Sequence, residues 1–226
     1  MKNWDDILAA AEAGDAEAQL TAAAGYYAGE EGLERDLDRA IAWTRKAAEQ
    51  GHPEALFRLA YLHKTGEGVP RNSAASRELY EKAAGGGSAK ARYNLAVMYL
   101  TGDGVEKDPA RGLSWLEAAA ETGFVKAQLL LARFRVSGVP EAGIEPDLAQ
   151  GARWYLSAAE AGNVDAQVMI GSMYMDGVGV PANREKAMSW LRAAAEQGSQ
   201  QAHYALRLMT TLPMAEENGY AFPPGE

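Results

Sequence analysis

The chain has 226 residues, 47% of them hydrophobic and 23% charged, with a formal net charge of −9 and no cysteine. This is the composition of an ordinary globular protein. It excludes disulfides and thiolate metal sites, and the acidic balance disfavours non-specific nucleic-acid binding. The start, MKNWDDILAAAEAGD, lacks the apolar core of a signal peptide, and no stretch approaches the roughly 18 apolar residues of a membrane span, so a cytoplasmic location without membrane contact is expected.

In chain order, the first expected element is a single helix at about residues 2–13. A repeat follows. A glycine closes each "AAE"-like ending, at Gly14, Gly51, Gly87, Gly123, Gly162 and Gly198, at intervals of 37, 36, 36, 39 and 36 residues. Alanine stands four residues after each of them. A large apolar residue stands eight before the last five: Trp43, Leu79, Trp115, Trp154 and Trp190. A second glycine follows the first five after fifteen residues, at Gly29, Gly66, Gly102, Gly138 and Gly177. Each unit therefore reads as two helices. Helix A runs from the first glycine to the second, which suits a left-handed cap. Helix B starts after a glycine-containing connection at Asp36, Asn72, Asp108, Asp147 or Asn183, whose side chains suit an N-cap. One unit cannot bury its own apolar face, and stacking supplies the partner. The four tryptophans Trp43, Trp115, Trp154 and Trp190 are expected in the core.

The segment "A-x-x-x-L-A-x-x-Y-x-x-G-x-G-V" at Ala91–Val105, followed by Asp108–Gly123, resembles the Sel-one-like repeat family, a branch of the tetratricopeptide superfamily. The resemblance covers about residues 14–210. It implies an all-α, right-handed α/α solenoid. The expected parts are an N-terminal capping helix (1–13), five repeats (14–50, 51–86, 87–122, 123–161 and 162–197), a C-terminal capping helix (198–212) and an irregular tail (213–226). It also implies a non-catalytic protein-interaction scaffold or adaptor, with no shared catalytic residues and no cofactor.

Three departures from the pattern stand out. His63 and Arg135 replace the tyrosine found at Tyr26, Tyr99 and Tyr174, and the fourth connection, SGVPEAGIEPD, is three residues longer. Gly85–Ser88 (GGGS) reads as the ordinary turn between units rather than a phosphate loop. His52, His63 and His203 have structural places, and neither a metal site nor a catalytic group is expected.

In tetratricopeptide-like solenoids the A helices line the concave side. Periodicity assigns positions 4, 5, 8, 9 and 12 after each glycine to the core and positions 3, 6, 10, 13 and 14 to the opposite face. That face carries aromatic residues beside cations. The expected partner-binding residues are Tyr27, Phe57, Tyr61, Lys64, Lys90, Tyr93, Lys126, Arg133 and Tyr204. In the middle repeats four bases face one acid, Glu54, which points to a protein or peptide partner with an acidic segment. A monomer is favoured. The alternative is a cytoplasmic immunity or inhibitor protein that neutralises a bacterial toxin. A second alternative, a weak hydrolase or ligand-binding enzyme, has no residue constellation behind it. In the tail, Tyr220 and Phe222 are expected to be irregular or to fold back on the last helix.

Overall fold

The computed structural model describes residues 3–211. Leu212 and the tail with Tyr220 and Phe222 lie outside them. Twelve α-helices are found among the described residues, and the chain divides into two compact units. Unit 1, residues 1–127 and 141–143, contains α1 (Trp4–Glu12), α2 (Ala16–Ala28), α3 (Leu37–Glu49), α4 (Pro53–Thr65), α5 (Ser73–Gly85), α6 (Ala89–Thr101), α7 (Pro109–Ala120) and the start of α8 (Val125–Ser137). Unit 2 contains the rest of α8, then α9 (Leu148–Glu160), α10 (Val164–Asp176), α11 (Arg184–Glu196) and α12 (Gln200–Thr211). The most extensive packing joins α2 to α3, α4 to α5, α6 to α7 and α10 to α11, the two helices of one repeat.

Local chemistry explains the segmentation. All five expected helix-B caps form: the Asp36, Asn72, Asp108, Asp147 and Asn183 side chains each accept a hydrogen bond from the backbone N–H three residues on. Helix A stops at Gly29, Gly66, Gly102 and Gly177, all left-handed. The chain then folds straight back. The N–H groups of Asp36, Asn72, Asp108 and Asn183 donate at 2.8–2.9 Å to the carbonyls of Tyr26, His63, Tyr99 and Tyr174. Each connection is thus closed by one backbone bond whose donor is the cap itself. The longer fourth connection is also structured, since Val139 and Ile144 exchange backbone bonds of 2.8 and 3.0 Å and Ile144 is buried.

The core differs from the expected one at the tryptophans. Trp43, Trp115, Trp154 and Trp190 are only half-buried. The deep position is the next residue: Thr44, Tyr80, Leu116, Tyr155 and Leu191 are all buried. On α3 the buried line runs Ala40, Thr44, Ala47 and Ala48, with small residues that let helices approach closely. Trp43 lies one residue, about 100°, off that line and covers its edge. Lys46 Nζ lies 4.0 Å from the centre of its ring. The buried indole belongs instead to Trp4 of α1, 8% exposed, which packs against Gly25 and Gly32 and donates Nε1–H to the Glu31 carbonyl at 2.9 Å.

Glutamine and arginine side chains tie helices together in a way periodicity does not show. Gln19 donates to the Ala11 carbonyl at 3.1 Å and accepts from Gln50 at 2.8 Å. In unit 2, Gln167 donates to the Ala159 carbonyl at 3.3 Å and accepts from Gln197 at 2.9 Å. Arg92 takes the same place in the third repeat, reaching the Ala84 and Ala118 carbonyls at 3.4 and 3.2 Å.

Candidate functional site

In unit 1 the structure gathers three of the expected binding residues around one pocket. Tyr27 of α2 and Phe57 and Tyr61 of α4 line a space of about 350 Å³, with Ala40, Ile41 and Thr44 of α3 also in its lining. Arg58 and Glu67 are its charged residues. Tyr27 and Tyr61 are 45% and 47% exposed, unusual for large aromatic side chains. The lining is otherwise aliphatic. A single apolar group could therefore desolvate there while ionic contacts form at the rim.

Sequence produces this pocket through one small residue. Ala24 stands ten after the repeat glycine, where the next four repeats carry Tyr61, Val97, Arg133 and Ser172. Its methyl group leaves room beside Tyr27. The Tyr27 hydroxyl donates to Glu67 Oε1 at 2.8 Å. That hydrogen bond, then burial and the charge of Glu67, raise the phenol above its ordinary value, so it stays a donor.

Of the other expected residues of unit 1, Lys90 and Tyr93 make ring contacts. The Phe57 ring lies 5.7 Å from that of Tyr80, and Lys90 Nζ lies 5.5 Å from its centre. Tyr93 meets Phe124 edge to face at 5.6 Å. Lys126 is exposed two residues beyond Phe124. Two expectations from the sequence differ from the structure. Position 6 is not turned away from the core: Leu20 is buried, and Phe57 and Tyr93 are half-buried, because the adjacent helix packs over them. The bases also face more than Glu54 alone. Glu54 bridges Arg58 at 3.2 Å and Lys90 at 3.2 Å, while Asp103 bridges Arg71 at 3.2 Å and Lys64 at 3.9 Å. Arg58, Arg71, Asp103 and Glu67 were absent from the expected site. The Glu54–Lys90 bridge had a readable signal, since both stand three after the repeat glycine in successive repeats. Asp103, Arg71 and Glu67 come from connections, where periodicity gives no direction.

The remaining expected residues lie in unit 2. Arg133 is exposed on α8, and Tyr204 is 64% exposed on α12. Met175 and Leu208 are also exposed there, each 41%. Among the described residues no group of three His, Cys, Asp or Glu is placed to hold a metal ion, and no helix is long and apolar enough to cross a membrane.

Comparison with known proteins agrees with the repeat. The Sel1 repeat model matches residues 16–52, 53–88, 89–124, 125–163 and 164–199. A Sel1 repeat protein from Oxalobacter formigenes superposes with a TM-score of 0.82 at 34% identity, covering 90% of this chain and 57% of that one. The immunity protein Pa5087 from Pseudomonas aeruginosa superposes at 0.52 with 26% identity, covering 83% and 67%. The chitin synthase regulator SKT5 of Saccharomyces cerevisiae is 38% identical over 73 residues, 32% of this chain and 10% of that protein. The chain thus spans little more than half of the Oxalobacter structure and about a tenth of the yeast regulator. Sel1-repeat proteins generally mediate protein–protein interactions, and the fold is typically a non-catalytic scaffold. With five repeats matched in tandem over an all-helical chain, the protein belongs to the Sel1-repeat family.

Proposed function

We propose that the chain is a non-catalytic interaction scaffold whose A-helix face in unit 1 takes a protein or peptide partner with an acidic segment. The observation that carries this reading is the apolar pocket flanked by two half-exposed tyrosines, Tyr27 and Tyr61. Exposed aromatic residues around an apolar depression are the usual centre of an interface, where a few side chains carry most of the affinity. Ion pairs at the rim favour orientation and encounter rate more than raw affinity.

The test is site-specific photocrosslinking in the source cell. A benzoylphenylalanine at Tyr61 should yield a defined protein adduct, and one at Arg45, exposed on α3, should not. Adducts from Arg45 and none from Tyr61 would reject this face. The likeness to the immunity protein Pa5087 favours a second reading, in which the partner is a toxin that this chain neutralises. A single adduct, recovered as a tight one-to-one complex whose partner is toxic when expressed alone, would support it.

A further inference from the structure

We infer that the space between Tyr27 and Tyr61 is an anchor pocket for one bulky apolar side chain of an acidic peptide, and that Ala24 sets its specificity. This rests on the interaction reading above and adds the chemistry of the ligand.

The size of the pocket limits what enters. About 350 Å³ lies at the low end of the range for ligand sites, roughly 300–1,000 Å³, and has room for an aromatic or branched side chain. Its lining supplies burial through Ala24, Ile41, Phe57 and Leu62, so the anchor is apolar. A larger residue at position 24 would occupy the space, which makes the alanine the determinant of what fits.

The charges nearby select the residues beside the anchor. Glu54 serves two cations, Arg58 and Lys90. Asp103 serves two more, Lys64 and Arg71. Each cluster retains one positive charge. On the Tyr27 side stand the Glu67 carboxylate and Arg35, whose Nε donates to the Tyr27 carbonyl at 3.2 Å. Further along α2, Glu17 pairs with His52 at 2.9 Å. The five cations Arg35, Arg58, Lys64, Arg71 and Lys90 thus meet four acids, Glu17, Glu54, Glu67 and Asp103, a local excess of one in a chain of net charge −9. A carboxylate on the ligand would share Arg58 or Arg71, whose guanidinium groups have more donors than their present partners use.

The experiment pans a phage-displayed random dodecapeptide library on the full chain and, in parallel, on Ala24→Leu, with circular dichroism melts to show that the variant folds. The expected peptides share one Leu, Ile, Phe or Trp flanked by Asp or Glu. The synthetic consensus should lose about tenfold in affinity on Ala24→Leu and a similar amount on Arg58→Gln/Lys90→Gln, and should weaken as salt rises. Peptides lost on Ala24→Leu but lacking acidic residues would overturn the inferred ligand while leaving the interaction face standing. Peptides indifferent to Ala24→Leu, or no selective enrichment, would overturn the pocket; the crosslink at Tyr61 separately judges the face. A concentration-dependent dimer abolished by Ala24→Leu would identify a second copy as the occupant and overturn the peptide.

Discussion

The guanidinium carbon of Arg111 lies 4.4 Å from the centre of the Tyr99 ring. The pairing recurs as Arg39 over Tyr26 at 5.4 Å in the first repeat and Lys186 over Tyr174 at 5.2 Å in the fifth. In each case the cation stands three residues after the helix-B cap. The two repeats without the tyrosine also lack the cation: His63 goes with Ala75, and Arg135 with Gln150. The departures at His63 and Arg135 are thus paired with changes on the next helix, which ties them to the seam between helices A and B.

A double-mutant cycle tests that pair. Tyr99→Leu, Arg111→Ala and their combination should show a coupling of about 0.5–1 kcal/mol by urea unfolding. Strict additivity would mean that Arg111 acts only through Glu81, whose Oε1 lies 3.6 Å from its guanidinium.

Tyr80 gives a prediction with a pH sign. It is 0% exposed, and neither its hydroxyl nor that of Ser76 has a hydrogen-bond partner among the described residues. Burial, and next the charge of Tyr61, push its phenol above the ordinary tyrosine value; nearby Ser76 opposes this without completing a hydrogen bond. Above about pH 10 the unfolded chain releases this proton while the folded chain keeps it. The contribution to stability is therefore complete below that pH and lost as pH rises towards the folded value. Tyr80→Phe should reduce the fall in stability between about pH 9 and 11, and at pH 7 be neutral or stabilising because an unpaired hydroxyl is removed. Unfolding curves across that range decide it. An unchanged alkaline slope would contradict the assignment.

Trp4 and Gly25 form a size lock. A Cβ on Gly25 would collide with the Trp4 ring. Gly25→Ala should destabilise by about 1–3 kcal/mol through overpacking, against a helix preference of roughly 1 kcal/mol in the other direction. In a Trp4→Ala background the same change should cost nothing or stabilise. Thermal melts of the four proteins measure this.

The glutamine ties predict an asymmetry between similar substitutions. Gln167→Leu removes the bonds to the Ala159 carbonyl and from the Gln197 amide, but that carbonyl keeps the Gly162 N–H at 2.9 Å and Gln197 is exposed, so it should cost about 0.5–1.5 kcal/mol. Gln150→Leu, at an exposed position, should stay within about 0.5 kcal/mol. Chemical denaturation of both variants provides the comparison.

Local chemistry was legible in the sequence. The caps at Asp36 and Asn72 and the left-handed Gly66 depend on neighbours within four residues, so spacing alone places them. Depth was not. Trp43 is the largest residue on its helix, yet the buried line passes through Thr44: the helical phase set by Ala40 and Ala47 decides depth, not side-chain size, for the same position carries the buried Tyr80 and Tyr155. Gln19 and Gln167 look solvent-facing by type, and their burial depends on carbonyls of the preceding helix. The candidate face was half legible: helical phase groups Tyr27, Phe57 and Tyr61, which line one pocket, while Arg71, Glu67 and Asp103 come from connections that periodicity cannot orient. The Glu54–Lys90 bridge was legible as well, since both residues stand three after the glycine of successive repeats.

The most direct measurement of the central claim is affinity capture from the source cell with the wild-type chain and with Tyr27→Ala/Tyr61→Ala, both confirmed helical by circular dichroism. Both tyrosines are half-exposed, so their loss should spare the fold. The account predicts one specific partner, also found in the Tyr61 crosslink, that is retained by the wild type and lost by the variant. Equal retention by both proteins would contradict it and move the interaction off this face.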